Sequence, residues 1–248
     1  MGQINEPVMG DAGNTPESGN RGLNFWQRLW GVIASPGTAF QDIAQKPTFW
    51  GILLVQLLIG GFLAWLTSPK LQEYTRITLE KTGQSQSMPP EMLQLTLQTI
   101  PIQAVIAAVI LPVILWLIEA GLIKLYAQFT LGAGTFRQLF AAAVWAGIPT
   151  LIGGIVQTVL VMMTTAENLV HVQTSLALLL PKTQTESFLY LFLSQIDFFT
   201  VWSLILLAIG AGAVLQQSPR KVGTYLFILW LLLAIGLASV GSFYAGQL

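Results

Sequence analysis

Two acidic side chains lie inside long apolar stretches of this chain, where a charge is costly to place. Glu119 follows the apolar run of residues 102–118, and Asp197 lies within the apolar stretch of residues 188–214. Such stretches are typical of membrane spans, and ionisable side chains inside spans often belong to pathways for protons, ions or ligands. Both acids are therefore candidates for a functional site.

The predicted depths of the two acids nearly coincide. At about 1.5 Å per residue, Glu119 lies about 12 Å from the inner end of its stretch and Asp197 about 14 Å from the outer end of its own. A hydrocarbon core is about 30 Å thick, so one polar site could contain both side chains and pass protons or hold a polar ligand. Thr200 and Ser203 extend the polar stripe beside Asp197.

A second interpretation keeps the two acids separate. Lys124, five residues after Glu119, or a helix terminus would then pair with one acid. Asp197 would lie at the interface because its span begins near Ile196. Both interpretations remain open, since the ends of spans are located from sequence only to within several residues.

Few residues are available for other kinds of chemistry. The chain has no cysteine and one histidine, His171, which leaves no thiolate site and no second histidine for a metal site or catalytic triad. No phosphate-binding loop with lysine and no nucleophile elbow is present, and Gly132 and Gly134 are too few to indicate a nucleotide site. We therefore expect no enzyme activity, cofactor or metal.

The composition predicts an all-α integral membrane protein. Hydrophobic residues make up 54% of the chain and charged residues 9%, whereas soluble domains carry about 25% charged residues. A helix needs about 20 apolar residues to cross a bilayer, and five stretches approach this length. Within a membrane domain of residues 24–248, we predict spans at about 49–67, 102–126, 138–163, 188–214 and 222–243.

Polar or amphipathic segments flank these spans. Residues 1–23 are rich in Gly, Asn, Pro and Ser, which predicts a disordered cytoplasmic tail. Residues 24–46 carry tryptophans and an arginine at helical spacing, which suits either the headgroup layer or packing on the bundle. The connection at 68–100 is predicted to be a polar loop with short surface helices, and residues 165–186 to contain an amphipathic surface helix.

Small residues mark the surfaces that we expect to pack closely. Membrane helices approach each other where small side chains share one face. The third and fifth spans carry such faces at Ala143, Gly147, Thr150 and Gly154, and at Ala234, Ala238, Gly241 and Ala245. We expect these faces to contact other helices of the bundle, other membrane proteins or a second copy of the chain, in addition to membrane lipids.

The distribution of Lys and Arg predicts a cytoplasmic N-terminus. Cations in short loops favour the cytoplasmic side, and the loop at 215–221 carries Arg220 and Lys221 without an acid. Five spans then place the C-terminus outside. The formal net charge of zero argues against nucleic acid as a partner.

Three segments resemble the Yip family of Ypt/Rab-interacting membrane proteins and occur in the same order. They are RLWGVIASPGTAFQDIAQKPTFWGILL, FTLGAGTFRQLFAAAVWAGIPTLIG and SQIDFFTVWSLILLAIGAGAV. The resemblance covers about residues 24–243 and implies a five-span protein with a cytoplasmic N-terminus. It also implies structural importance for the motif positions Gly132, Gly134, Phe136, Pro149 and Asp197.

The functional expectation follows from this resemblance and from the intramembrane acids. Eukaryotic members of the family bind prenylated Rab-type GTPases, but this chain resembles bacterial members, so we expect the bacterial inner membrane and no Rab-type partner. The leading hypothesis is a non-enzymatic scaffold or partner-binding protein in membrane organisation or trafficking. The alternative is a small transporter, channel or lipid translocator that uses Glu119 and Asp197.

Overall fold

The computed structural model describes residues 22–181 and 185–245, and these residues are almost entirely helical. Within them no strand is present beyond an isolated bridge between Ser175 and Asp197. The predicted tail of residues 1–23 lies outside the described residues except for Gly22 and Leu23. The α-helices are α1 (Phe25–Ala34), α2 (Pro36–Gln45), α3 (Trp50–Lys81), α4 (Gln84–Ser87), α5 (Pro90–Phe129), α6 (Phe136–Ala146), α7 (Ile148–Met163), α8 (Phe188–Ser194), α9 (Phe198–Leu215) and α10 (Pro219–Ala245).

Five helical segments of the described chain are long and apolar enough to cross a membrane. They are α3, α5, the pair α6 and α7, α9, and α10. This confirms the predicted all-α membrane bundle with five spans. The predicted fourth span, residues 188–214, is divided because α8 ends at Ser194 and α9 begins after Asp197.

The N-terminal amphipathic segment forms two short helices that a buried ion pair joins. Asn24 caps α1 through a capping box with Gln27, and Pro36 begins α2 as the Ser-Pro pair predicts. Arg28 of α1 is 4% exposed, and its Nε donates to Asp42 Oδ2 of α2 at 2.6 Å. The ion pair therefore holds α1 against α2.

The two helices of this segment present different faces to their surroundings. Phe40 and Ile43 of α2 are fully buried, whereas Trp26 and Trp30 of α1 are 72% and 71% exposed. Tryptophans are enriched where spans meet the headgroup layer. The packing interpretation therefore holds for α2, and the headgroup interpretation stays a prediction for the exposed face of α1.

A helical hairpin connects the first two spans, so the predicted polar loop at residues 68–100 is wrong. α3 continues to Lys81 and α5 starts at Pro90, with the four-residue α4 between them. At about 1.5 Å per residue, α3 and α5 are about 48 and 60 Å long. Both lengths exceed the hydrocarbon core of about 30 Å, so the hairpin extends beyond the membrane.

Two prolines, Pro69 and Pro101, explain the expectation of a loop at this place. Proline lacks the N–H that would bond the carbonyl four residues earlier, and it usually ends or kinks a helix. Two side chains supply the missing donors: Ser68 Oγ bonds Trp65 O at 2.7 Å, and Gln72 Nε2 bonds Leu97 O at 2.8 Å. The helices continue because the freed carbonyls are satisfied in this way.

The third span is broken in the middle and supplies much of the core. α6 ends at Ala146, Gly147 forms the break, and Pro149 lies in the first turn of α7. Every residue of α6 from Leu139 to Ala146 is buried. These residues pack against α2, α5 and α9, so the core lies at the end of the bundle that carries α1 and α2.

After the third span, the chain forms two 3-10 helices, Ala166–His171 and Leu176–Leu179. The predicted amphipathic surface helix in residues 165–186 is therefore wrong. The chain between the two short helices pairs with the start of α9, where Ser175 bridges to Asp197. Because the chain is extended where it forms this bridge, the segment does not form one continuous helix.

Lys70 joins the hairpin to the end of the third span. Its Nζ donates to the carbonyls of Val161, Met162 and Thr164 at the C-terminal end of α7. The last carbonyls of a helix lack intrahelical donors, and a cation there also complements the helix dipole. Lys70 therefore acts as a C-terminal cap for α7.

Candidate functional site

A cavity of about 490 Å³ lies between α3, α5 and α7, with one residue contributed by α9. Most of its wall is apolar, which is typical of sites that hold small molecules. Polar side chains converge on it from all four helices: Gln56, Thr67, Glu119, Thr150, Gln157, Thr158 and Ser203. The cavity is the candidate functional site because it combines apolar space with convergent polar groups inside the membrane bundle.

The break in the third span explains several of these polar side chains. Pro149 has no N–H, so carbonyls of the preceding turn need other donors, and inside a bilayer these must come from the protein. Three side chains of the cavity wall donate to carbonyls beside the break: Gln56 Nε2 to Val144 O at 2.8 Å, Ser203 Oγ to Ala146 O at 2.8 Å, and Thr150 Oγ1 to Gly147 O at 2.7 Å. The carbonyls of Val144 and Gly147 also accept the backbone N–H groups of Gly147 and Leu151.

Gly147 lies where this break meets the cavity wall. A Cβ atom at Gly147 would lie 2.9 Å from Gln56 Oε1 and 3.1 Å from Trp116 Nε1. Only glycine leaves room for both side chains at these distances. The small-residue face predicted on the third span thus packs against α3 and α5 at Gly147, whereas Thr150 and Gly154 line the cavity.

Glu119 lines the cavity from α5, one turn after Trp116. Its side chain is half-buried, and no residue in the described part of the chain donates a hydrogen bond to it. Lys124 is not its partner, because Lys124 Nζ donates to the carbonyl of Gly134 at 2.7 Å. The predicted pairing of Glu119 with Lys124 is therefore not formed.

Asp197 takes a structural position at the start of α9. Its Oδ1 accepts from the backbone N–H of Phe199 at 3.1 Å and from Thr174 Oγ1 at 3.3 Å. Asp197 is thus the N-cap of α9, in agreement with the interpretation in which its span begins near Ile196.

The structure does not bring the two acids into one site. Asp197 and Thr200 line a second cavity of about 330 Å³, whereas Glu119 and Ser203 line the first. The two cavities share Thr150, Gly154 and Gln157 in their walls, but neither cavity is lined by both acids. Two side chains at the same depth in two helices meet only if each lies on the side of its helix that faces the other.

The turn between the second and third spans depends on its two glycines. The N–H of Gly132 donates to Ala127 O at 2.9 Å and closes the end of α5. Gly134 has a φ of +95°, and a Cβ atom there would lie 2.5 Å from Val214 Cγ1. Phe136 begins α6 and stacks on Phe140 with 6.4 Å between the ring centroids.

Residues 30–240 of the chain match the Yip1 domain. The chain belongs to the Yip1 family. One relative is "Membrane protein YknW" of Bacillus subtilis (strain 168), which is 29% identical over 186 residues, covering 73% of this chain and 76% of the relative. No solved structure matches. The predicted membership of the Yip family is confirmed, and the Bacillus relative is consistent with a bacterial member of it.

Several residues of the cavity in this Yip1-family chain, among them Gln56, Gln157 and Trp116, were not among the predicted site residues. These three residues are uncharged, whereas the prediction rested on two intramembrane acids and the polar residues near them. Gln56 and Gln157 are nevertheless detectable, because each interrupts an otherwise apolar run with an amide. A polar residue in a span usually faces protein rather than lipid, so both could have been assigned to the interior.

Proposed function

We propose that this Yip1-family protein is a non-enzymatic membrane scaffold that binds another helix within the bilayer. The observation that carries the proposal is a row of exposed isoleucines on α5, spaced four residues apart and 43–62% exposed. This isoleucine ridge consists of Ile102, Ile106, Ile110, Ile114 and Ile118.

The spacing and chemistry of the isoleucine ridge suit helix packing. Side chains four residues apart form the ridges that fit into the grooves of a neighbouring helix. β-Branched side chains have few rotamers in a helix, so they lose little entropy when a partner packs against them. Within lipid, such van der Waals packing is a main source of helix association.

The small-residue faces expected to bind partners are used inside the bundle. Ala143 and Gly147 belong to the core, and Ala234 and Ala238 of α10 are 2% and 1% exposed. A Cβ atom at Gly241 would lie 3.0 Å from Leu191 Cδ1. The isoleucine ridge therefore replaces these faces as the proposed contact surface.

The proposed setting is the inner membrane of a bacterium, with the N-terminus in the cytoplasm and the C-terminus outside. Exposed cations at the end of the bundle that carries α1 support this orientation: Arg137, Arg220 and Lys221. In this setting we propose membrane lipids and other membrane proteins as partners, and neither nucleic acid nor a Rab-type GTPase.

Photo-crosslinking from a single cysteine tests the scaffold. The chain has no cysteine, so Ile110→Cys introduces one attachment point for a maleimide photo-crosslinker. We expect a discrete protein adduct in native membranes from Ile110→Cys and none from the control Leu232→Cys on α10, which is 60% exposed. The scaffold is excluded if both positions give the same adducts or if Ile110→Cys gives none.

A second candidate function is transport of a small polar species or translocation of lipid. The observation that favours it is Glu119 in the wall of the membrane-embedded cavity. Reconstituted vesicles would then show flux of protons, ions or labelled lipid that Glu119→Gln reduces. Flux that is absent, or equal in the two proteins, removes this candidate.

A further inference from the structure

The cavity between α3, α5 and α7 is rich in hydrogen-bond acceptors that have no donor. The amide nitrogens of two glutamines donate to backbone carbonyls: Gln56 Nε2 to Val144 O and Gln157 Nε2 to Val172 O. No residue of the described chain donates to the amide oxygens of Gln56 and Gln157 or to the carboxyl group of Glu119. The cavity thus offers acceptors to a ligand.

A backbone carbonyl adds to these acceptors. Pro112 of α5 has no N–H for the carbonyl of Ala108, and both residues line the cavity. Gly60 of α3 lies opposite, since a Cβ atom there would be 3.6 Å from Ala108 O. Unlike the carbonyls freed by Pro69 and Pro101, this one receives no side-chain donor from the described residues. A donor from a ligand would satisfy it.

The side chains that line the cavity favour a cationic ligand over an anionic one. Among the described residues that line it, Glu119 is the one acidic side chain, and no Lys, Arg or His is present. Trp116 lies one turn away on the same helix, and indole faces attract ammonium groups. The remaining donors of the described lining, which include Trp116 Nε1, Thr158 Oγ1 and the second N–H of each glutamine amide, carry no charge.

We propose that this cavity binds a hydrophobic amine whose ammonium group contacts Glu119 and Trp116. The hydrocarbon part lies along the apolar wall that α3, α5 and α7 form. A phospholipid amine is a poorer ligand, because its phosphate would meet no cation in the described lining. A volume of about 490 Å³ falls within the usual range for small-molecule sites.

Equilibrium binding of labelled dodecylamine to the protein in phosphatidylcholine nanodiscs tests this proposal. We expect saturable binding that dodecanol and dodecanoate compete for poorly, since neither carries an ammonium group. Glu119→Gln keeps the shape of the side chain and removes its charge, and it should weaken dodecylamine binding by about tenfold or more. Glu73→Gln, an exposed acid of the hairpin, is the matched control and should change nothing.

A second pair of variants tests the location of the ligand. A Cβ atom at Gly154 would have only Leu63 Cδ1 near it, at 4.0 Å, so Gly154→Leu fills the cavity without a backbone clash. Gly121→Leu is the control, because it has nothing within 4 Å and does not line the cavity. We expect Gly154→Leu to abolish saturable binding and Gly121→Leu to preserve it.

Several results would overturn the proposal. Equal affinity of the wild-type protein and Glu119→Gln would remove the role of the carboxyl group. Equal competition by dodecylamine, dodecanol and dodecanoate would show unselective partitioning. Lysophosphatidylethanolamine that competes better than dodecylamine would replace the free amine by a lipid headgroup. If Gly154→Leu does not fold, the isosteric Glu119→Gln still decides, and none of these results depends on the isoleucine ridge.

Discussion

The second and third spans are both strongly apolar, yet the bundle buries them to very different extents. The most apolar window of α5 has a mean hydropathy of 2.5 and is 17% buried, whereas that of α6 and α7 has 2.0 and is 61% buried. Lipid is as apolar as a leucine side chain, so hydropathy decides which helices enter the membrane and does not decide which pack together.

The size of the side chains, and not their hydropathy, explains why α6 is buried and α5 is exposed. α6 contains the run Ala141–Ala143, which is at most 1% exposed, and α5 presents the isoleucine ridge to its surroundings. Small residues let backbones approach closely, so α6 lies at the centre. Buried and exposed positions of the bundle should therefore respond differently to matched substitutions, and four comparisons test this.

The largest expected effect is at the buried ion pair of the N-terminal end. Arg28→Ala leaves Asp42 without its 2.6 Å partner, and breaking a buried pair costs about 3 kcal/mol or more. SDS-titrated unfolding followed by tryptophan fluorescence measures the loss. Arg137→Ala, an exposed arginine at the same end, is the control. A loss below about 1 kcal/mol for Arg28→Ala would show that this end is not tightly packed.

A glycine pair compares the core with the exposed surface of α10. Gly210 packs on Phe40, since a Cβ atom there would lie 2.7 Å from Phe40 Cδ1, whereas Gly236 has nothing within 4 Å. Overpacking a core costs about 1–3 kcal/mol, so Gly210→Leu should lower the free energy of unfolding by this amount. Gly236→Leu should leave it unchanged, and equal losses would contradict the packing described for α9.

These contrasts also show how far the sequence alone predicts the fold. Apolar length predicts the five spans because each helix must cross the hydrocarbon core. The hairpin is not predictable in this way. Pro69 and Pro101 are helix-ending signals, and only tertiary and local geometry shows that Ser68 and Gln72 replace their donors.

Two of the predicted polar residues, Glu119 and Ser203, line the candidate site, but the arrangement of the site was not predictable. Glu119 stands out because an acid inside a span is costly, and the structure places it in the cavity wall. Two other predicted residues are engaged elsewhere, since Asp197 caps α9 and Lys124 donates to the carbonyl of Gly134 in the turn. Depth along a helix follows from sequence, whereas the side of the helix that faces a neighbour depends on packing.

Two glutamines each donate a hydrogen bond to a backbone carbonyl, one inside the bundle and the other in the hairpin beyond the membrane. Gln56 is 6% exposed and donates to Val144 O, whereas Gln72 donates to Leu97 O where water can replace it. Gln56→Leu should cost about 1–2 kcal/mol, the range of hydrogen bonds between membrane helices. Gln72→Leu should cost less than about 0.5 kcal/mol in the same unfolding assay. If Gln72→Leu costs more than Gln56→Leu, the hydrogen bond of Gln72 is less exposed to water than its position beyond the hydrocarbon core implies.

The smallest effect is expected at the exposed ion pair of the hairpin. Arg76 Nε bonds Glu80 Oε1 at 3.0 Å, but the two side chains are 66% and 53% exposed. Exposed pairs four residues apart on a helix contribute about 0.3–0.5 kcal/mol, because water screens the charges and holding two long side chains costs entropy. A double-mutant cycle with Arg76→Ala and Glu80→Ala should therefore give a coupling near this value that disappears at high salt. A coupling as large as that of Arg28 with Asp42 would mean that a partner or the headgroup layer covers this part of the hairpin.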